Sequence, residues 1–296
     1  MAPRKIAIAA ALLVSAGILA AVKETTHLEY SSPLGRKFYS LPDTNAFVAK
    51  AQKELQSDMK HPGMWLKLAQ AQAAVWQDRE AVATLAHALE LVPKNPALYT
   101  ERGHRELPLH EFKRAQEDLK TAIDLDPKDV EAYYHFGLSH YFVGEFEQAA
   151  EAFRKAVEFA PNDDERINST NWLYASLRRA KQPDAAAKAL EGIPPEMKNT
   201  EPHTAFYLNL VRFFQGRMTE AEALPPEPSK DNTDTETELR FDTVAYGIGN
   251  WHLYNDHPDE ARKYFERVYK GHVWITWGFI GSEIELARMK NKPALQ

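Results

Sequence analysis

"YYHFGLSHYFVGEFEQAAEAFRKAVEFAP", residues 133–161, decides how this chain is read. It crowds five aromatic side chains and two histidines into ten positions, then runs on as an alanine-rich stretch carrying Glu145, Glu147, Glu151, Arg154 and Lys155. The same pattern stands 34 residues upstream, and again 34 before that. Ala81, Ala115 and Ala149 fall in one column; Leu85, Leu119 and Phe153 in a second; Ala88, Ala122 and Ala156 in a third; Pro93, Pro127 and Pro161 in a fourth. Trp65, Tyr99 and Tyr133 form an aromatic column, followed four positions later by the small residues Ala69, Gly103 and Gly137.

A fixed period of this length marks an array of helix pairs, each pair burying its apolar face against the next. Small residues at the eighth, twentieth and twenty-seventh positions let two helix backbones approach, and large residues at the fourth and twenty-fourth fill what remains. Each proline cannot continue the helical hydrogen bonding and restricts the residue before it, so every unit ends in a turn such as "DPKD" or "APND".

These units resemble the tetratricopeptide repeat. The first carries the resemblance through Trp65, Leu68, Ala69, Ala81, Leu85 and Pro93, the second through Gly103, Ala115, Leu119 and Pro127, and the third through Gly137, Ala149, Phe153 and Pro161. Clear repeats are read at 62–95, 96–129, 130–163 and, with Gly249, Ala261 and Phe265 but no closing proline, at 242–275. Degenerate repeats fill about 167–224, where Ala186 and Leu190 mark a fourth unit, and "FYLNLVRFFQG" and "RMTEAEAL" supply the two helices of a fifth. Pro225, Pro226 and Pro228 cut that last helix short, and residues 225–240 read as a proline-rich, acidic loop. The expectation is an all-α, right-handed solenoid of such pairs over 42–296. An amphipathic helix from Pro42, capped by Asp43 or Thr44, covers its front, and a helix at about 274–290, with Trp274, Trp277, Ile280, Ile284 and Ala287 on one side, caps its end.

The front of the chain reads differently. Arg4 and Lys5 precede an uncharged run from Ile6 to Val22, and charge returns at Lys23. This is the pattern of an export signal, short enough to be cleaved and at the lower edge of what spans a bilayer, so residues 1–22 are a signal peptide or a retained anchor. Residues 23–41 read as a linker. The protein is therefore expected outside the cytoplasm, periplasmic or secreted, or anchored in the inner membrane. Removing Arg4 and Lys5 with the run takes the net charge from −6 to −8, and the basic residues are scattered among acidic ones, so no nucleic-acid footprint is present. There is no cysteine, which removes disulfides, thiolate metal sites and a cysteine nucleophile.

Candidate chemistry is sparse. His135 and His140 stand about 140° apart on a helix of 3.6 residues per turn and do not readily share a metal. No H-E-x-x-H, phosphate loop or G-x-S-x-G elbow occurs. The acidic residues Asp231, Asp234, Glu236 and Glu238 lack the spacing of a calcium loop, and the sequon at Asn168 opens a helix. "RGHRELPLHEF", residues 102–112, departs from the repeat, with Arg102 in place of the usual leucine and Pro108 near the helix end. It is the place where an enzymatic site, together with loop 225–240, would be sought. No metal, cofactor or catalytic residue is assigned.

The resemblance implies a binding role instead. Tyr134, Leu138, Tyr141 and Phe142 of the third repeat, His104 of the second, and Tyr246, Asn250 and Tyr254 of the last fall on positions that line the concave face in this family. The implied function is a non-enzymatic scaffold holding a peptide or protein in the cell envelope; an anchored assembly factor acting as an oligomer is the alternative. The second positions, Gly63, Ala97 and Glu131, and the ninth, Gln70, His104 and Leu138, lack the cations with which some relatives grip a terminal carboxylate.

Overall fold

A computed structural model describes residues 26–199, 205–228 and 234–291. The uncharged run at 6–22 lies outside the described residues. The chain opens with an antiparallel hairpin, β1 (Leu28–Ser31) and β2 (Lys37–Tyr39), and helix α1 (Phe47–Ser57). Helix pairs follow: α2 (Pro62–Ala73) with α3 (Asp78–Leu91), α4 (Pro96–Glu106) with α5 (Phe112–Leu125), and α6 (Val130–Val143) with α7 (Phe146–Phe159). Next come α8 (Asp163–Arg179) with α9 (Pro183–Leu190), α10 (Ala205–Phe214) with the single turn α11 (Glu220–Ala223), α12 (Thr235–Tyr254) with α13 (Pro258–Tyr269), and lastly α14 (Trp277–Asn291).

The packing columns explain the pairing. Ala81, Ala115 and Ala149, and Leu85, Leu119 and Phe153, have no exposed surface. A Cβ at Gly137 would stand 2.7 Å from the Phe153 ring, and one at Gly103 2.6 Å from Leu119, so the eighth-position glycine admits the twenty-fourth-position side chain of its own pair. Between the helices of a pair the chain turns through one left-handed residue: Trp76, His110, Gly144, Lys181, Gly216 and Asp256. Glycine holds that conformation without penalty, and a non-glycine residue there costs about 1–2 kcal/mol. The rings of Trp76 and His110 are kept at that cost because both are bound elsewhere.

Two expectations are corrected by the structure. The segment expected as linker 23–41 contains the hairpin, which ties the first repeats to the last. Phe38 stacks on Trp274 at 5.7 Å and meets Phe279 edge-on, Trp76 meets Trp274, and Tyr30 shares a 3.0 Å hydrogen bond with His110 Nδ1. The Arg36 guanidinium donates to the carbonyls of Tyr269 and Gly271, and Arg79 N–H donates to Glu29 Oε2 at the start of α3. The Phe38 and Arg36 contacts join residues more than 200 positions apart, and none of these contacts recurs with the repeat, so they leave no periodic trace.

The loop expected at 225–240 is corrected at its far end, where α12 begins at Thr235. Its acidic character has a structural cause. Asp234 caps the helix by accepting from Thr237 N–H, and buried Glu238 accepts from His272 N–H at 2.6 Å and Val273 N–H at 3.0 Å.

Helix α14 packs on α12 and α13 of the last pair and reaches from there along the inner side of the stack. It lies against the first helices of the pairs: Trp277 touches His104 of α4 and His135 and Phe142 of α6, Glu285 pairs with Arg179 of α8, and Gly281 meets Tyr246 of α12. At Gly278 a Cβ would fall 2.2 Å from the Asp242 carbonyl oxygen, a backbone contact that cannot yield. The concave face is filled over its later part by the chain's own helix. At the front, α1 follows a turn in which Asp43 accepts from Phe47 and Val48 N–H, and it buries Val48, Ala51 and Leu55.

Candidate functional site

Five of the eight residues expected on the concave face are in the core, where α6, α8 and α12 meet one another and α14. Leu138, Tyr141, Phe142, Tyr246 and Asn250 are all buried. The Tyr141 hydroxyl accepts from Asn250 Nδ2 at 2.7 Å and from Tyr246 OH at 3.3 Å, and its ring meets Trp172 edge-on at 5.2 Å. Burial pushes the phenols of Tyr141 and Tyr246 up, so both stay neutral hydrogen-bonding groups. Phe142 sits between Trp172 and Trp277. A position that faces a groove in an empty superhelix becomes a packing position once a helix occupies it.

The other three are half-buried. Tyr134 packs edge-on against Phe153, and Tyr254 lies under the Arg178 guanidinium, 4.5 Å from its ring centre. His104 stacks on His135 with ring centres 3.9 Å apart. Burial first, then the charge of Arg105, holds both imidazoles down, His135 to about 3, so the stacked rings are neutral.

His104 belongs to the part of the concave face that α14 leaves open. There α2, α4 and α6 surround a groove of about 620 Å³, whose lining includes Leu66, Gln70, Ala97, Glu101, Asp129 and Glu131. Arg105 is the single cation among the lining residues, and it is already engaged, 3.0 Å from Glu101 and 3.8 Å from Asp78. Asp78 is raised to about 7 by burial despite Arg105. Thr100 donates to Asp129 at 2.7 Å, which fixes that carboxylate at the rim. Burial raises Glu131 to about 7 as well, and a cation entering the groove would favour its charged form; with three lining carboxylates against one cation, the groove suits a cationic side chain.

The irregular stretch at 102–112 separates into three unrelated contacts. Arg102 makes a two-bond fork to Asp118, with Nη2 to Oδ1 at 2.7 Å. His104 stacks on His135, and His110 Nε2 stands 3.2 Å from Glu283 Oε2 of α14. Glu106, buried beside Asp118, is pushed up to about 8, chiefly by burial. These groups converge on no common cavity. Among the described residues no group of three or more His, Cys, Asp or Glu is placed to hold a metal ion, and no helix is long and apolar enough to cross a membrane.

Two features escape the sequence reading. The left-handed turn column was open to it, since Trp76, His110 and Gly144 repeat at 34 residues. The basic cluster of Arg178, Arg179, Lys181 and Arg288 around the end of α14 was not, because its members come from two segments that only the fold brings together.

Stacked helix pairs with interlocked small and large columns define a tetratricopeptide-repeat solenoid, and residues 100–164 match the tetratricopeptide-repeat family model. That match spans about a fifth of the chain, across the second and third repeats. Among solved structures it is similar to the MamA protein, with 23% identity and a TM-score of 0.44 over 49% of this chain and 77% of that one. It is similar to MamA from residue 41 onward from Desulfovibrio magneticus RS-1, at the same identity and TM-score, over 49% of this chain and 80% of that one. It is also similar to YrrB, a tetratricopeptide-repeat protein with an unusual peptide-binding site, with 14% identity and a TM-score of 0.46 over 82% of this chain and 99% of that one. No curated protein sequence matches the chain significantly.

Proposed function

We propose that this protein is a non-enzymatic scaffold of the cell envelope that binds a segment of a partner protein in the open part of its concave face. The observation that carries the reading is the groove across α2, α4 and α6, rimmed by Glu101, Asp129 and Glu131 and left free by the helix that fills the rest. Its bound segment presents lysine or arginine to those carboxylates. Stacked repeats use such a face because several first helices contribute side chains to one continuous surface. The envelope assignment rests on the signal-like run at 6–22.

Affinity capture from envelope extracts tests the reading, with the first 22 residues kept in one form and removed in the other. The expected result is one recurrent partner, lost on Glu131→Lys and on Ala97→Trp, both at exposed groove positions. Undiminished capture by both folded variants would exclude the groove. Capture that needs residues 1–22 would favour the anchored assembly factor.

A further inference from the structure

A second, larger groove lies on the edge of the solenoid where the turns inside the helix pairs come together, apart from the open part of the concave face. Its volume is about 1060 Å³. The turns at His110, Gly144, Lys181 and Asp256 line it, with the hairpin residue Pro33 and the last turns of α14. Each of these four turn residues has a left-handed backbone, and only one of them is glycine. The walls between them are apolar, built from Phe112, Phe142, Val143, Phe146, Leu253 and Met289, with Val143 40% exposed.

The charges of this groove do not cancel internally. Its cations are Arg178, Arg179, Lys181 and Arg288, and its carboxylates are Asp256, Glu283 and Glu285. Glu285 is shared by Arg179 and Arg288, and Glu283 faces His110. Arg178 bonds only neutral groups: Asn255 Oδ1 at 2.7 Å, the Tyr174 hydroxyl at 3.2 Å and the Tyr254 carbonyl at 3.5 Å. Neither Arg178 nor Lys181 has a carboxylate in ion-pair range among the described residues. In a chain of net charge −6, a groove whose four cations outnumber its three carboxylates, with Arg178 and Lys181 outside any ion pair, is a local reversal of sign.

We propose that this turn-edge groove is a second interaction surface, which takes a peptide segment of a partner carrying glutamate or aspartate between large apolar side chains. The carboxylate pairs with Arg178 and Lys181, where a charge-assisted bond to a half-buried guanidinium is stronger than one in open solvent. The apolar side chains lie on Phe146, Leu253 and Met289. The inference goes beyond the concave-groove reading, because the two surfaces share no residue and have opposite charge.

The test uses the full chain and fluorescence anisotropy with a labelled, amidated heptapeptide that alternates glutamate with leucine and phenylalanine, beside an analogue with lysine in place of glutamate. The wild type is expected to bind the acidic peptide and to bind the lysine analogue about ten-fold more weakly. Arg178→Gln is expected to weaken the acidic peptide by about ten-fold, and Lys181→Glu and Val143→Asp by about five-fold each. Lys181 and Val143 lie at the surface, so their variants test the groove even if Arg178→Gln unfolds. Ala97→Trp leaves this binding unchanged, which separates failure here from failure of the concave groove. Equal affinity for both peptides, no binding, or unchanged affinity in Lys181→Glu and Val143→Asp would overturn the proposal. So would binding that appears only after residues 292–296 are removed, or sedimentation with phosphatidylglycerol vesicles in place of peptide binding.

Discussion

The first pair of repeats and the later repeats use the same columns for opposite ends. At the ninth position Gln70 is exposed, His104 half-buried and Leu138 wholly buried. The polarity of the concave face falls as α14 draws near. The cores divide in the same way. Val48, Trp65, Leu68, Leu85 and Leu98 form a small cluster around α1 and the first pair, whereas Leu119, Tyr141, Trp172, Phe265 and Phe279 belong to one large cluster that also takes in Phe38 of the hairpin. The first region is held by neighbours in sequence and keeps a free surface. The second is held by a helix and a hairpin from the two ends of the described chain, and its surface is spent on that contact. A repeat register therefore tells which residues face inward, and a separate fact, what occupies the interior, decides whether they bind or pack.

This contrast can be broken by experiment. The largest effect is expected at Tyr141→Ala, which removes a buried ring from the filled region and should cost about 4 kcal/mol in chemical denaturation. A variant that melts like the wild type would return Tyr141 to a binding surface. Gly278→Ala should cost about 3 kcal/mol, since its methyl group meets the Asp242 backbone and no side chain can move aside. A folded, equally stable Gly278→Ala protein would mean that α14 does not sit where it is described. Ala149→Leu should cost about 2 kcal/mol by overpacking a repeat interface common to both regions.

A smaller effect, of pH, is shared by the two regions. Glu106 near the front and Asp242 in α12 are both raised to about 8, mainly by burial. A carboxyl whose folded pKa lies above its unfolded value favours the folded state fully below the unfolded value, and that contribution is lost as pH rises through the folded one. The melting temperature should therefore fall between about pH 5 and pH 8. Glu106→Gln, which keeps a neutral group in place, should gain on the order of 1–2 kcal/mol at pH 8 relative to wild type and nothing at pH 4. A pH profile parallel to the wild type would show that Glu106 ionises freely. The smallest effect on folding belongs to Ala97→Trp in the open groove, within about 0.5 kcal/mol of wild type by the same measurement. A marked loss of stability there would show that the open half is packed as well.

The sequence alone determined the helix pairs. Ala149, Phe153, Ala156 and Pro161 and their copies at 34-residue intervals report contacts inside one unit and with the next, and such contacts recur with the unit. The carboxylates of the open groove were partly legible too, since Glu131 holds a second position of the register. Tertiary structure alone decided the rest. Phe38 against Trp274, Glu285 against Arg179 and Gly278 against Asp242 are each made once, between segments with no repeat in common. A periodic pattern records forces that act between neighbours. The placing of α14 and the hairpin follows from apolar area and shape complementarity across the whole superhelix, which no window of sequence contains.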